Sequence, residues 1–140
     1  MKLTNTPVYA TDDDQAFFIY DSSDDSGALT TNANLHFVYS NDDTDYITDL
    51  GIAVAADTNY RLGITVDSDR KVSAWVNGVQ YNLTSATTAG GVDESGAGTK
   101  LSSALADDHD LIPYIGVIAR GSAARTLTVA SQKMSRIIFE

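Results

Sequence analysis

This sequence predicts an all-β fold, an antiparallel β-sandwich or jelly roll, and three observations carry that expectation. Short runs of β-branched and aromatic residues recur along the chain, each closed by a cluster of Asp, Asn, Gly or Ser. The most regular stretch, "YRLGITVDSDRKVSAWVNG" at 60–78, alternates apolar and polar residues as a half-buried strand does. No window of about 11 residues or more sustains the period of ~3.6 residues that an amphipathic helix requires.

"AFFIY" (16–20) and "NLHFVYS" (34–40) read as strands, separated by the turn-forming "DSSDDSGALTTN" (21–32). "NDDTD" (41–45) turns the chain into "YITDLGIAV" (46–54), and "ADTN" (56–59) turns it again. Tyr60, Leu62, Ile64 and Val66 then share one face of a strand, with Arg61, Gly63 and Thr65 on the other. "DSDR" (67–70) supplies a turn whose side chains can bond their own backbone. Val72, Ala74 and Val76 alternate with Ser73 and Trp75 in the return strand. "NG" at 77–78 is a two-residue hairpin signal, because both central positions of that turn take positive φ. "VQYNL" (79–83) completes a three-stranded meander.

The Gly-rich "TSATTAGGVDESGAGTK" (84–100) reads as a long surface loop, and Leu101, Ala104 and Leu105 fit one or two helical turns within 100–108. "LIPYIGVIAR" (111–120), with Pro113 near its start, "TLTVAS" (126–131) and "KMSRIIF" (133–139) read as the closing strands. Residues 1–11 are expected to form an N-terminal arm and residues 12–140 a single sandwich domain.

Composition narrows the function. A net charge of −10 argues against a nucleic-acid partner, which needs a basic footprint. The charge is uneven: residues 1–119 hold 18 acids against 5 bases, whereas residues 120–140 hold Arg120, Arg125, Lys133 and Arg136 against Glu140 alone. Such asymmetry either is a solvated face beside a basic edge or orients copies and partners. No apolar run approaches the ~18 residues of a membrane helix, and "MKLTNTPVYATDDD" has no signal-peptide core, so no membrane association is expected. The chain has no cysteine, which excludes disulfides and thiolate metal sites.

Catalytic patterns are weak. Of 19 acidic residues only Glu94 and Glu140 are Glu, and most Asp residues cluster in turns rather than in a facing pair. His36 sits inside a strand and His109 in "DDHD", without a G-x-S-x-G or H-E-x-x-H motif. The loop "DSSDDSG" offers Asp21 and Asp25, and "NDDTD" offers Asp43 and Asp45, as weak calcium ligands. The first lacks the glycine and bidentate acid of a calcium loop, and neither a metal nor another cofactor is expected. The aromatics carry the recognition potential. Trp75, opposite in facing to Val72 and Val76, presents a ring that packs on protein or stacks on a sugar together with Tyr81.

Two stretches carry a resemblance. "GIAVAADTNYRLGITVDSDRKVSAWVNGVQY" (51–81) is similar to the central meander of concanavalin A-like, laminin-G-like jelly rolls. "LIPYIGVIARGSAARTLTVASQKMSRI" (111–137) resembles their closing strands in the version found in tailed-bacteriophage proteins. The resemblance implies a non-enzymatic virion structural protein, a capsid decoration (cement) protein. It would be made in the host cytoplasm and held on the capsid surface by the major capsid protein as a homo-oligomer, a trimer. The alternative it implies is a carbohydrate-binding module or a tail or head-fibre adhesin for host glycans. Enzymes on this fold carry a Glu-x-Asp-x-x-Glu strand, for which this sequence has no place. Relatives carry further strands before the matching part. The sandwich is therefore expected to be incomplete, its edges covered by residues 1–11 or by a partner chain. The expected partner contacts are Trp75, Arg120, Arg125 and Arg136.

Overall fold

The computed structural model describes residues 14–22, 29, 31–41, 44–83, 88–89, 104–105, 115–116 and 126–135. It is all-β, with no helix among the described residues. β1 (Gln15–Ile19), β2 (Asn34–Asn41) and β3 (Thr44–Ala53) run antiparallel in that order. β4 (Leu62–Val66), β5 (Val72–Val76) and β6 (Val79–Tyr81) form the second sheet, an antiparallel meander. β7 (Thr88–Ala89) pairs in parallel with β3 at the far edge of the first sheet. The arms of the expected hairpins thus become strands within one or two residues of the positions their alternation implies.

The two sheets share one hydrophobic cluster. Leu35, Phe37 and Tyr39 of β2 and Leu50 of β3 meet Val72, Ala74 and Val76 of β5, with Tyr81, Leu83 and Leu105 completing it. Phe18 lies edge-on to Phe37 at 5.0 Å, and Tyr39 lies 6.0 Å from Tyr46. Such ring pairs add about 0.5–1.5 kcal/mol each beyond the area they bury. Burial raises the Tyr39 hydroxyl to about 12, with the nearby Asp14 carboxylate pushing the same way and Arg70 opposing.

Turn chemistry sets the meander. Asp67 Oδ1 accepts hydrogen bonds from the backbone N–H groups of Asp69 and Lys71, at 3.0 and 2.8 Å, and holds the β4–β5 turn. Arg70, at φ 59°, then directs its side chain and backbone to residue 105. Its Nε donates to the Leu105 carbonyl, and the Leu105 N–H donates to the Arg70 carbonyl. This exchange pins Leu105 into the core. Asn77 and Gly78 both take positive φ, 54° and 87°, as the NG hairpin requires. Tyr60 caps the β3–β4 connection: its hydroxyl accepts from the Ala55 N–H and donates to the Ala53 carbonyl.

Several expectations are corrected. The loop expected over 84–100 contains β7, which needs only two residues to add to the β3 edge. Ala104 and Leu105 are not helical, because Leu105 spends its backbone N–H and C=O on Arg70. Residues 126–131 and 133–135 form no strand, and neither do Ile115 and Gly116. A strand needs an edge to pair with and a face to bury, and Leu127, Val129 and Met134 remain at least half exposed or nearly so (50%, 49% and 77%). The rest of 111–120 and of 133–139, and residues 1–11, lie outside the described residues.

Two measurements test this account. Gly78→Ala places a side chain at positive φ and is expected to lower stability by roughly 1–2 kcal/mol in urea unfolding; an unchanged midpoint would contradict the turn geometry. In an alkaline absorbance titration one of the seven tyrosines should ionise near pH 12. The folded state holds that proton more tightly than the unfolded chain. Its contribution to stability is therefore complete below pH ~10 and lost as pH rises through the folded value. Tyr39→Phe should remove this late step, and a late step that survives the substitution assigns it elsewhere.

Candidate functional site

Three surfaces follow from the strand registers. The first surrounds Trp75 on the outer face of the meander. Trp75 pairs across the sheet with Gly63 on one side and Gln80 on the other, so it points away from the Val72–Ala74–Val76 row. A side chain at Gly63 would put its Cβ 3.4 Å from Trp75 Cβ, and the absence of one leaves room for the indole beside β4. Trp75 Nε1 donates to Thr65 Oγ1 at 3.2 Å, which fixes the ring. At the hairpin end, Arg61 and Asn77 exchange hydrogen bonds: the Arg61 N–H donates to Asn77 Oδ1 and the Asn77 N–H to the Arg61 carbonyl. The Arg61 guanidinium then lies over bare Gly78. With Leu62, Ser131 and Lys133 these groups enclose a shallow cavity of about 390 Å³. Among the described residues its lining carries two cations and no carboxylate, in a chain of net charge −10.

The second is the outer face of the first sheet, where Ile19, His36 and Asp49 lie in one cross-strand row. It is buried. Leu29 packs there on Val38 and Ile47, with Phe17 and Ile19 beside them. Between the pairs Leu35↔Ile52 and His36↔Asp49 the register shifts, leaving Leu50 and Gly51 as a bulge in β3. Gly51 adopts φ 68°, which turns its N–H onto Asp49 Oδ1 at 2.7 Å. Asn34 Nδ2 donates to both oxygens of the same carboxylate, at 2.9 and 3.1 Å. The His36 ring is fully enclosed, with Nδ1 at 3.1 Å from the Asn34 carbonyl and Nε2 at 3.9 Å from Asp49 Oδ2. A carbonyl only accepts, so Nδ1 carries a proton. An imidazole with no exposed surface meets no substrate in this conformation; the cluster positions the bulge.

The third surface is the inner face of β4. Leu62, Ile64 and Val66 pair with Val76, Ala74 and Val72, so all six side chains share one face. The β5 row is buried, yet the β4 row is 41–45% exposed. The expected half-buried strand is therefore turned inward and keeps nearly half of its apolar row exposed. Among the described strands β4 is the edge of its sheet, and β1, the edge of the other sheet, is the strand across from it.

The sequence-derived candidates separate accordingly. Trp75 lies on the outer face, whereas Tyr81 pairs with Ala74 and is buried in the core. The two aromatic rings lie on opposite faces of the meander and do not form one sugar platform. Asp21 follows β1 at the sheet edge, and Asp45 lies in β3. Asp25, Asp43, Arg120, Arg125 and Arg136 lie outside the described residues. Among the described residues no three potential ligands gather around a metal position. Sequence reasoning missed the pairing of His36 with Asp49. The available signal was that Asp49 is the one charged residue of "YITDLGIAV" (46–54) and precedes a glycine by two residues. Comparison with family models, with curated proteins and with solved structures finds no match to this chain.

Asp49→Ala removes the acceptor of the Gly51 N–H and of the Asn34 amide. It is expected to destabilise the fold by about 1–3 kcal/mol for each buried donor left unmade. Asp49→Asn, whose amide oxygen still accepts from Gly51, should recover part of that loss. Equal stability of all three proteins in urea would remove the cluster from the account of β3.

Proposed function

We propose that this chain is a non-enzymatic virion structural protein, a jelly-roll sandwich that decorates a phage capsid by binding the major capsid protein. The observation that supports this reading best is the open inner row of β4, Leu62, Ile64 and Val66. An apolar row turned toward the core side of a sheet, and left uncovered, favours a role carried by burying surface against protein. The class of assembly is suggested by the resemblance of residues 51–81 to concanavalin A-like jelly rolls and of residues 111–137 to their closing strands in the phage version. Affinity on a shell would come from many copies binding at once, each contributing a modest contact.

A second reading rests on a separate observation, the cavity beside Trp75. An indole edge with Arg61 and Lys133 suits a glycan that bears a carboxylate, with Trp75 rather than Tyr81 as its aromatic contact.

Purified particles decide between them. The capsid reading expects the chain among virion proteins, co-sedimenting with bare capsids, and losing that binding at least tenfold in Ile64→Asp. Its presence only as free protein in the lysate would overturn the reading. Because Trp75 is the single tryptophan, its fluorescence reports the cavity directly. A saturable change with an acidic oligosaccharide, abolished in Arg61→Gln, would favour the glycan reading instead.

A further inference from the structure

The open row on β4 has a counterpart elsewhere in the same chain. Residues 126–131, "TLTVAS", alternate Thr and apolar residues in the manner of a strand, lie in neither sheet, and expose Leu127 and Val129 to about half their surface (50% and 49%). We propose that residues 126–131 of a second copy add to the edge of β4 with which no described strand pairs, extending the meander and closing the seam between β4 and β1. This rests on the capsid reading and goes beyond it: the β4 row is buried between copies, so capsid binding belongs to the assembled copies and weakens with Ile64→Asp because the assembly is lost.

Four observations point to that occupant. The incoming segment is six residues long against the five of β4, so one strand covers the whole edge. Its Leu127 and Val129 are spaced two apart, as are Leu62, Ile64 and Val66, so that pairing places the two apolar rows on one face. The chain's own segment leaves both rows exposed together. Ser131 and Lys133 rest beside Arg61, Leu62 and Gly63, yet Leu127 and Val129 remain uncovered, and so does the β4 row. Exchange between copies covers both at once. Charge agrees in sum: residues 120–140 carry a net +3 and residues 1–119 a net −13, which draws the basic end of one copy toward the body of the next, and residues 126–131 themselves bring no charge to the Arg61 end of β4. Strand addition of this kind takes its affinity from main-chain hydrogen bonds and its register from alternate side chains.

The absence of cysteine makes the contact directly testable. Chains carrying Ile64→Cys are mixed with chains carrying Val129→Cys, and in a second mixture with Leu127→Cys, under mild oxidation. The expected result is a disulfide between unlike chains in at least one mixture, exceeding any dimer formed by either variant alone. Light scattering of the unmodified protein should show an oligomer, which Ile64→Asp reduces to a monomer with an unchanged circular dichroism spectrum. Failure of both mixtures to cross-link while the variants keep the native spectrum would overturn the proposal. So would a purely intrachain disulfide in the Ile64→Cys, Val129→Cys double variant. The capsid reading fails by a different measurement, absence from particles, and a chain that cross-links between copies but is missing from virions would lose that reading alone.

Discussion

The packing of β2 against β5 is the constraint on which the rest of the structure depends. Phe37 and Tyr39 on one strand and Val72, Ala74 and Val76 on the other are almost wholly removed from water. A fully buried side chain of this size contributes about 1.5–3 kcal/mol. Without disulfides, few other terms reach that scale in this chain. Each flanking strand then has its position set by how it serves this pair. β1 and β3 supply Phe18 and Leu50 to the edges of the cluster, and β6 supplies Tyr81. The Arg70–Leu105 exchange brings one more large side chain into it from a distant part of the chain.

Because β2 is central in its sheet, it is buried on both faces, and this creates the polar cluster. Every residue from Leu35 to Ser40 is enclosed, so its second face must hold His36, Val38 and Ser40 away from water. Val38 is satisfied by Leu29 and Ile47. Ser40 accepts from Gln15 Nε2 at 3.0 Å. His36 meets Asp49, and the acid in turn is held by Asn34 and by the N–H of Gly51. A buried carboxylate is tolerated only when hydrogen bonds replace its hydration. The Gly51 bulge is the backbone deformation that delivers one of them.

The six longer strands were legible in the sequence because alternation and turn chemistry agree at each of them. Asp67, Asn77 and Gly78 act in the structure as their residue types imply. What stayed hidden has a common cause. A period of two says which residues share a face, and it is silent on whether anything lies over that face. Thus Leu62, Ile64 and Val66 read as core, while their exposure depends on the end of a sheet. Tyr81 and Trp75 read as neighbours, six residues apart, although the NG turn sends them to opposite faces. The partnership of His36 with Asp49 depends on a register shift that no local pattern announces. The strand signal of 126–131 is real as propensity and unrealised as pairing among the described residues, since propensity reflects fit to a pleated surface and not an intrinsic backbone preference.

The two faces of β4 explain why Trp75 is a weaker candidate for a protein anchor than its size suggests. On the outer face the indole is already engaged: Gly63 makes room for it and Thr65 takes its N–H. A partner arriving there gains only the remaining exposed part of the ring. On the inner face three aliphatic side chains keep nearly half their surface in water. Free energy released on contact scales with apolar area removed from water, so the inner row offers more per residue than the larger but spent ring. An exposed edge strand also presents unpaired N–H and C=O groups, which soluble proteins ordinarily cover, charge or shorten. β4 carries no charge and no proline along Leu62–Val66, and among the described residues Ser131 and Lys133 rest beside its first two residues alone. An edge left both apolar and unguarded is the form expected of a strand whose neighbour arrives from outside its own sheet.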